Sequence, residues 1–181
     1  MNLFDLAYMP CKSPGITSAK LWVKGGSRED PKSQKGAHQL LGSLLSRGCG
    51  PYNEISLADL VEGCGSGLRS DVNEDGLLIS LKCSAEDAKD LIPLMGWMIS
   101  EPHLEENQIQ LEKELTFQAL QRQRENPFHL AYDGWRQLAY GNGAYGHDPL
   151  GLAEDIAGIN KKELIPLSLS LRNSTTKLVI G

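Results

Sequence analysis

The sequence predicts an α+β fold, an antiparallel or mixed sheet covered by helices. Three observations predict it. Runs of strand length and composition stand near both ends and in the middle of the chain; Gly67–Val72 and Leu77–Lys82 flank Asn73–Gly76, a hairpin turn by composition; and the blocks between repeat their apolar residues at helical spacing. With 181 residues, 40% hydrophobic and 23% charged, the chain is long enough for one substantial core, so a single domain over 1–181 is expected.

Charge and composition narrow the function classes. Net charge is −5 with no long block of either sign. The linear sequence therefore lacks the basic footprint of a nucleic-acid or anionic-membrane protein, and neither partner is expected. No apolar run approaches the roughly 18 to 20 residues that span a bilayer, and Met1–Pro10 lacks the basic start and long apolar centre of a signal peptide. A cytoplasmic protein is expected. Cys11, Cys49, Cys64 and Cys83 form no C-x-x-C pair, so they are expected as reduced thiols rather than a redox or zinc-ribbon motif.

In chain order, Leu3–Tyr8 and Ser18–Val23 read as strands separated by the turn Ser13-Pro14-Gly15. Ser27–Gln34 is polar and reads as a solvated loop. Lys35–Gly48 reads as a helix with Leu40, Leu41, Leu44 and Leu45 on its apolar face, and Cys49–Asn53 as a loop. Ser56 is the expected N-cap of a short helix through Val61, which Gly63 stops; the glycines beyond it lead into a strand, which excludes a phosphate loop. Ser84 is the expected cap of a helix over Ala85–Ile99, with Leu91, Leu94, Met95 and Met98 at core spacing. A long polar helix follows from Leu104 to Arg124. Past Asn126-Pro127 comes an amphipathic helix with Phe128, Ala131, Trp135, Leu138 and Ala139 on one face, ending at Gly141. A glycine-containing loop, a helix over Lys161–Arg172 and a strand over Lys177–Ile180 complete the chain. Of the histidines outside the leucine-rich helix, His103, His129 and His147 show no metal spacing, and Asp148 reads as surface.

The chemistry turns on the leucine-rich helix. An inverted zinc-peptidase helix, H-x-x-E-H, places a ligand His at i, a general-base Glu at i+3 and a second ligand His at i+4, so that all three address one metal. Here those positions hold His38, Leu41 and Gly42.

The flanking blocks carry a resemblance. WVKGGSRED (Trp22–Asp30), KGAH (Lys35–His38), SRG (Ser46–Gly48), QIQLEKELTFQALQRQRENP (Gln108–Pro127) and AYGHDPLGLAEDI, in this order, resemble the insulinase, pitrilysin and mitochondrial processing peptidase family from about Phe4 to Gly181. The resemblance implies a metallopeptidase-like domain, the first of two in a longer protein. Aligned on the Asn-Pro ending, the family's third zinc ligand, a Glu, falls on Ala119, and its supporting acidic residue falls on Glu112. Catalytic zinc takes three protein ligands and a carboxylate base; of the degenerate positions His38, Leu41, Gly42 and Ala119, only His38 offers a donor. His38 and Glu112 are the candidate relics, and no zinc or other cofactor is expected.

Active relatives bind substrate as an added strand at the sheet edge that corresponds to Gly67, Leu68, Arg69, Ser70, Asp71 and Val72. Strand addition uses backbone groups, so this edge is a candidate peptide-binding surface; an edge guarded by charge is the other reading of the same residues. The resemblance thus implies a non-catalytic partner or regulatory subunit that forms a homodimer or a heterodimer with a zinc-bearing relative. The alternatives left open are a zinc metalloendopeptidase with ligands displaced to His38, Glu112 and another histidine, and a structural core subunit of a larger complex.

Overall fold

The computed structural model describes residues 4–10 and 15–181. Leu3, Cys11 and the Ser13-Pro14 part of the expected turn lie outside them. Five strands form one mixed sheet in the order β1 (Phe4–Tyr8), β7 (Thr176–Ile180), β2 (Ile16–Lys24), β6 (Gly76–Ser84) and β5 (Gly67–Val72). β1 and β7 are parallel and every other pair is antiparallel. The closing strand of the sequence thus lies inside the sheet, and β5 is an edge.

Alternation along the strands sends Ala19, Leu21 and Val23 of β2 and Leu77, Ile79, Leu81 and Cys83 of β6 to one buried face. The helices pack there. α1 (Ala37–Leu44) lies against β5, and α3 (Ala88–Ser100) against β6. α1 contributes Leu40, Leu41 and Leu44, α3 contributes Leu91, Leu94, Met95 and Met98, and Ile109 enters from α4 (Glu106–Arg124). Cys49, Cys64 and Cys83 are free. No helix is long and apolar enough to cross a membrane among the described residues.

Several local expectations need correction. Cys49–Asn53 is not a plain loop: β3 (Gly48–Cys49) and β4 (Tyr52–Asn53) pair across its turn. The helix after it, α2 (Glu54–Glu62), is capped by Asn53, whose side chain accepts from the Ser56 amide, because the carboxamide reaches the N3 donor one turn earlier than a Ser56 cap would. α3 starts at Ala88, since the Ser84 hydroxyl accepts from the Asp87 amide and holds Ala85–Asp87 in a turn. A further helix, α6 (Ala153–Gly158), follows the glycine-containing loop.

The largest departure concerns α5 (Pro127–Tyr140). Its apolar stripe exists, but nothing among the described residues covers it: Phe128, Ala131, Trp135, Leu138 and Ala139 are all exposed, and Leu138 is 90% accessible. The buried residue of α5 is Arg136, which pairs with Glu74 at 3.1 Å and donates to the His147 carbonyl. α7 (Lys161–Arg172) has the expected bounds, and its Asn160 and Glu163 form a reciprocal capping box.

Because Ile79 is fully buried in the middle of the sheet, Ile79→Ala is expected to cost about 2–5 kcal/mol in urea unfolding, whereas the exposed Lys20→Ala stays within about 0.5 kcal/mol.

Candidate functional site

The segment before α1, expected as a solvated loop, delivers a carboxylate into the interior. The Asp30 side chain is fully buried. Its Oδ2 accepts from the Gly36 amide at 2.7 Å and its Oδ1 from the His38 amide at 3.0 Å, which satisfies orphan donors at the α1 N-terminus. The same Oδ1 accepts from His38 Nδ1 at 2.7 Å. The ring donates to the carboxylate from Nδ1, since the carboxylate oxygen can only accept. A carboxylate behind an imidazole is the arrangement that orients metal-bound histidines; here the orienting group is present.

His147 joins this cluster from 109 positions downstream of His38, through a close crossing of two backbones. At Gly36, where φ is 97°, an added Cβ would stand 2.6 Å from the Leu150 carbonyl oxygen, and at Gly151 it would collide with Lys35. Only two glycines let the strands of chain meet this closely. Lys35 N donates to Asp155 Oδ2 at 3.0 Å and Leu152 N donates to the Lys35 carbonyl, so the crossing is tied on both sides. His147 is consequently buried, with Nδ1 3.0 Å from Lys35 Nζ and Nε2 3.5 Å from Asp30 Oδ2. The lysine can only donate, which places the imidazole proton on Nε2, facing the carboxylate. Asp148, expected as surface, is half-buried and its Oδ1 accepts from the Leu150 amide.

Burial alone would raise the Asp30 pKa, but the facing His147, the His38 ring and the two amides outweigh it and hold the carboxyl below its ordinary range. Burial likewise pushes the Cys49 thiol up to about 11, so it is inert at neutral pH.

The remaining positions of the H-x-x-E-H pattern lie in the core. Leu41 is fully buried within the leucine cluster. Gly42 is buried directly beneath β5: the Ser70 hydroxyl donates to its carbonyl, and an added Cβ would stand 2.5 Å from Val72 Cγ2. Ala119 supplies no donor atom. Glu112 is buried and its Oε1 accepts from Arg47 Nε at 2.7 Å, while Arg47 also pairs with Glu54 at 2.6 Å and Gln108 Nε2 donates to Glu54 Oε2. Glu112 therefore ties α4 to the end of α1 and the start of α2, and its acceptor faces a guanidinium rather than a metal position.

These residues do not fit a zinc ion. A tetrahedral site needs three donors converging on one point; of the motif positions only His38 carries one, Leu41 is buried in the leucine cluster and Val72 abuts Gly42. Among the described residues no three His, Cys, Asp or Glu side chains are grouped so as to hold a metal.

The candidate peptide edge is formed as a strand. β5 is paired with β6 on one side only, with Leu68, Ser70 and Val72 turned towards the helices and Gly67, Arg69 and Asp71 outward; Arg69 and Asp71 are 3.5 Å apart. Beside it lies a cleft of about 290 Å³ lined by Arg47, Glu54, Leu57, Val61 and Leu68, among others.

The domain is a helix-covered mixed sheet with α1 packed against its edge strand. Residues 12–148 match the family model described as Insulinase (Peptidase family M16), and the chain belongs to that family. The mitochondrial-processing peptidase subunit beta of Bos taurus is 24% identical over 145 residues, which are 80% of this chain and 30% of that protein. Among solved structures, a protease from Helicobacter pylori superposes with a TM-score of 0.88 at 17% identity, over 97% of this chain and 43% of that one. A peptidase M16 inactive domain from Pseudomonas fluorescens gives 0.85 at 17% identity with the same coverage. The chain thus spans less than half the length of these relatives.

Two outcomes follow. Gly42→Ala is expected to cost about 1–3 kcal/mol in denaturant unfolding, and a double-mutant cycle with Val72→Ala to show about 1 kcal/mol of coupling, because the new methyl and the valine compete for one space. Since the folded Asp30 pKa is depressed below 3.8, its contribution is present above that pH and lost as pH falls through the folded value. Asp30→Asn is accordingly expected to be less stable at neutral pH and to have a shallower acid limb in stability–pH profiles.

Proposed function

We propose that this chain is a non-catalytic member of the insulinase family, acting as a partner or regulatory subunit of a zinc-bearing relative and holding extended peptides along β5. The observation that carries the reading is the packing at Gly42. The position for a second histidine is closed by Val72, and the position for the general base, Leu41, is core. On this reading both positions serve packing rather than an open pocket.

Two further findings support the association role. The Bos taurus relative is by its name one subunit of a peptidase, and the Pseudomonas fluorescens structure is described as an inactive domain. On this reading catalysis belongs to a partner, and this chain supplies a sheet edge whose free backbone groups pair with a peptide irrespective of its sequence, while Leu68 and the adjoining cleft accept alternate side chains. The domain then forms one part of a larger two-domain subunit.

The direct test is zinc content by mass spectrometry together with peptide cleavage, measured on the purified protein with and without its co-purified partner. Substoichiometric zinc and no cleavage alone, with cleavage in the paired sample, are expected; His38→Ala leaves the metal content unchanged. Stoichiometric zinc that His38→Ala abolishes would establish the displaced-ligand enzyme instead. Ser70→Pro, which blocks strand pairing, is expected to weaken peptide capture about tenfold or more if the edge is the binding surface.

A further inference from the structure

Two of the free thiols frame the β5–β6 hairpin. Cys64 lies in the turn that leads from α2 into β5, and Cys83 lies near the end of β6. The register pairs Leu68 with Leu81 and Gly67 with Lys82, so the next step outward puts Ser66 opposite Cys83, at the open end of the hairpin. Alternation turns both towards the side of Leu68 and Leu81. Residues opposite one another on antiparallel strands have Cα atoms about 4.5–5.5 Å apart.

The turn brings Cys64 back onto this position. Gly65 N donates to the Glu62 carbonyl at 2.9 Å and Ser66 N to the Val61 carbonyl at 3.0 Å, which folds the turn over the end of α2. Cys64 Sγ consequently stands 3.2 Å from Ser66 Oγ, the side chain across from Cys83. Its other contacts hold it weakly, because a thiol is a poor donor: the Leu60 and Val61 carbonyls are each 3.3 Å away. Gly65, at φ 68° with nothing within 4 Å of an added Cβ, gives the turn room to carry the sulfur further. Burial, then the Asp87 carboxylate and Cys64 itself, push the Cys83 thiol up.

Access sets the order of events. Cys64 is exposed and Cys83 is buried, so an oxidant in solution meets Cys64 first and Cys83 resolves the product.

We propose that Cys64 and Cys83 form a reversible, peroxide-driven disulfide that staples the open end of the β5–β6 hairpin. The Cys64 thiolate attacks one oxygen of hydrogen peroxide, breaks the O–O bond and becomes a sulfenic acid, and the hydroxide expelled takes up a proton. Cys83 then gives up its proton and attacks the Cys64 sulfur; the S–S bond forms and the second oxygen leaves as water. Two thiols and one peroxide give one disulfide and two waters, and a dithiol returns the two electrons and two protons. With its far end already closed by the turn at Asn73–Gly76, the stapled hairpin opens less readily along β5. The bond forms whether or not β5 holds peptides, so its chemistry stands apart from the peptide-edge reading.

The purified intact protein, reduced and freed of reductant, is treated with about ten equivalents of hydrogen peroxide, alkylated and digested with trypsin. The expected product links Gly48–Arg69 to Cys83–Lys89, with fragment ions placing the bond at Cys64, and dithiothreitol reverses it. Amide hydrogen exchange over Gly67–Val72 is expected to slow about threefold or more on oxidation. Cys64→Ser, at an exposed site, keeps the reduced protein's circular dichroism and abolishes both effects. Conversion of Cys64 to sulfinic acid without a link, a bond from Cys11 or Cys49 instead, a link that forms only in urea or only between two copies, or unchanged exchange in the linked protein would each overturn the proposal.

Discussion

A single buried carboxylate organises the region that the rest of the domain surrounds. Burying Asp30 without partners would be costly, and the chain meets that cost with two amides at the start of α1 and the His38 ring, with His147 Nε2 facing it at 3.5 Å. Each donor comes from a segment that must then be held in place. The amides fix where α1 begins, the His38 ring fixes the side chain at its first turn, and His147 requires the loop before α6 to cross the chain at Gly36. Lys113 extends the same tie: its buried ammonium donates to the carbonyls of Ala157 and Ile159, which fastens the end of α6 to α4.

The polar groups around α1 each have a structural partner within the chain: Asp30 is bonded to His38, and Glu112 to Arg47. Leu41 and Gly42 serve packing instead. A hydrophobic residue at 41 extends the leucine stripe already present at 40, 44 and 45, and a glycine at 42 lets β5 settle onto α1 with Ser70 bonded to the helix carbonyl.

Along α5, Phe128, Tyr132, Trp135, Tyr140 and Tyr145 form a ladder with successive centroids 5.4–5.9 Å apart, capped by Arg136 at 5.0 Å from the Tyr132 ring. These rings cover one another rather than the core, which is how an apolar stripe of this size persists in contact with water.

The sequence by itself determined the α+β class, the β5–β6 hairpin and most of the helices. These follow from local periodicity, turn chemistry and motif spacing, all of which act over a few residues. What only the tertiary structure decided are relations between distant segments. His147 carries no spacing signal towards His38, since the two meet through a glycine crossing at 36 and 151. The stripe on α5 has helical period, but period cannot say whether a partner element covers it. Gly42 reads as a missing ligand in the sequence, and Val72, thirty residues away, is what makes it a closed one.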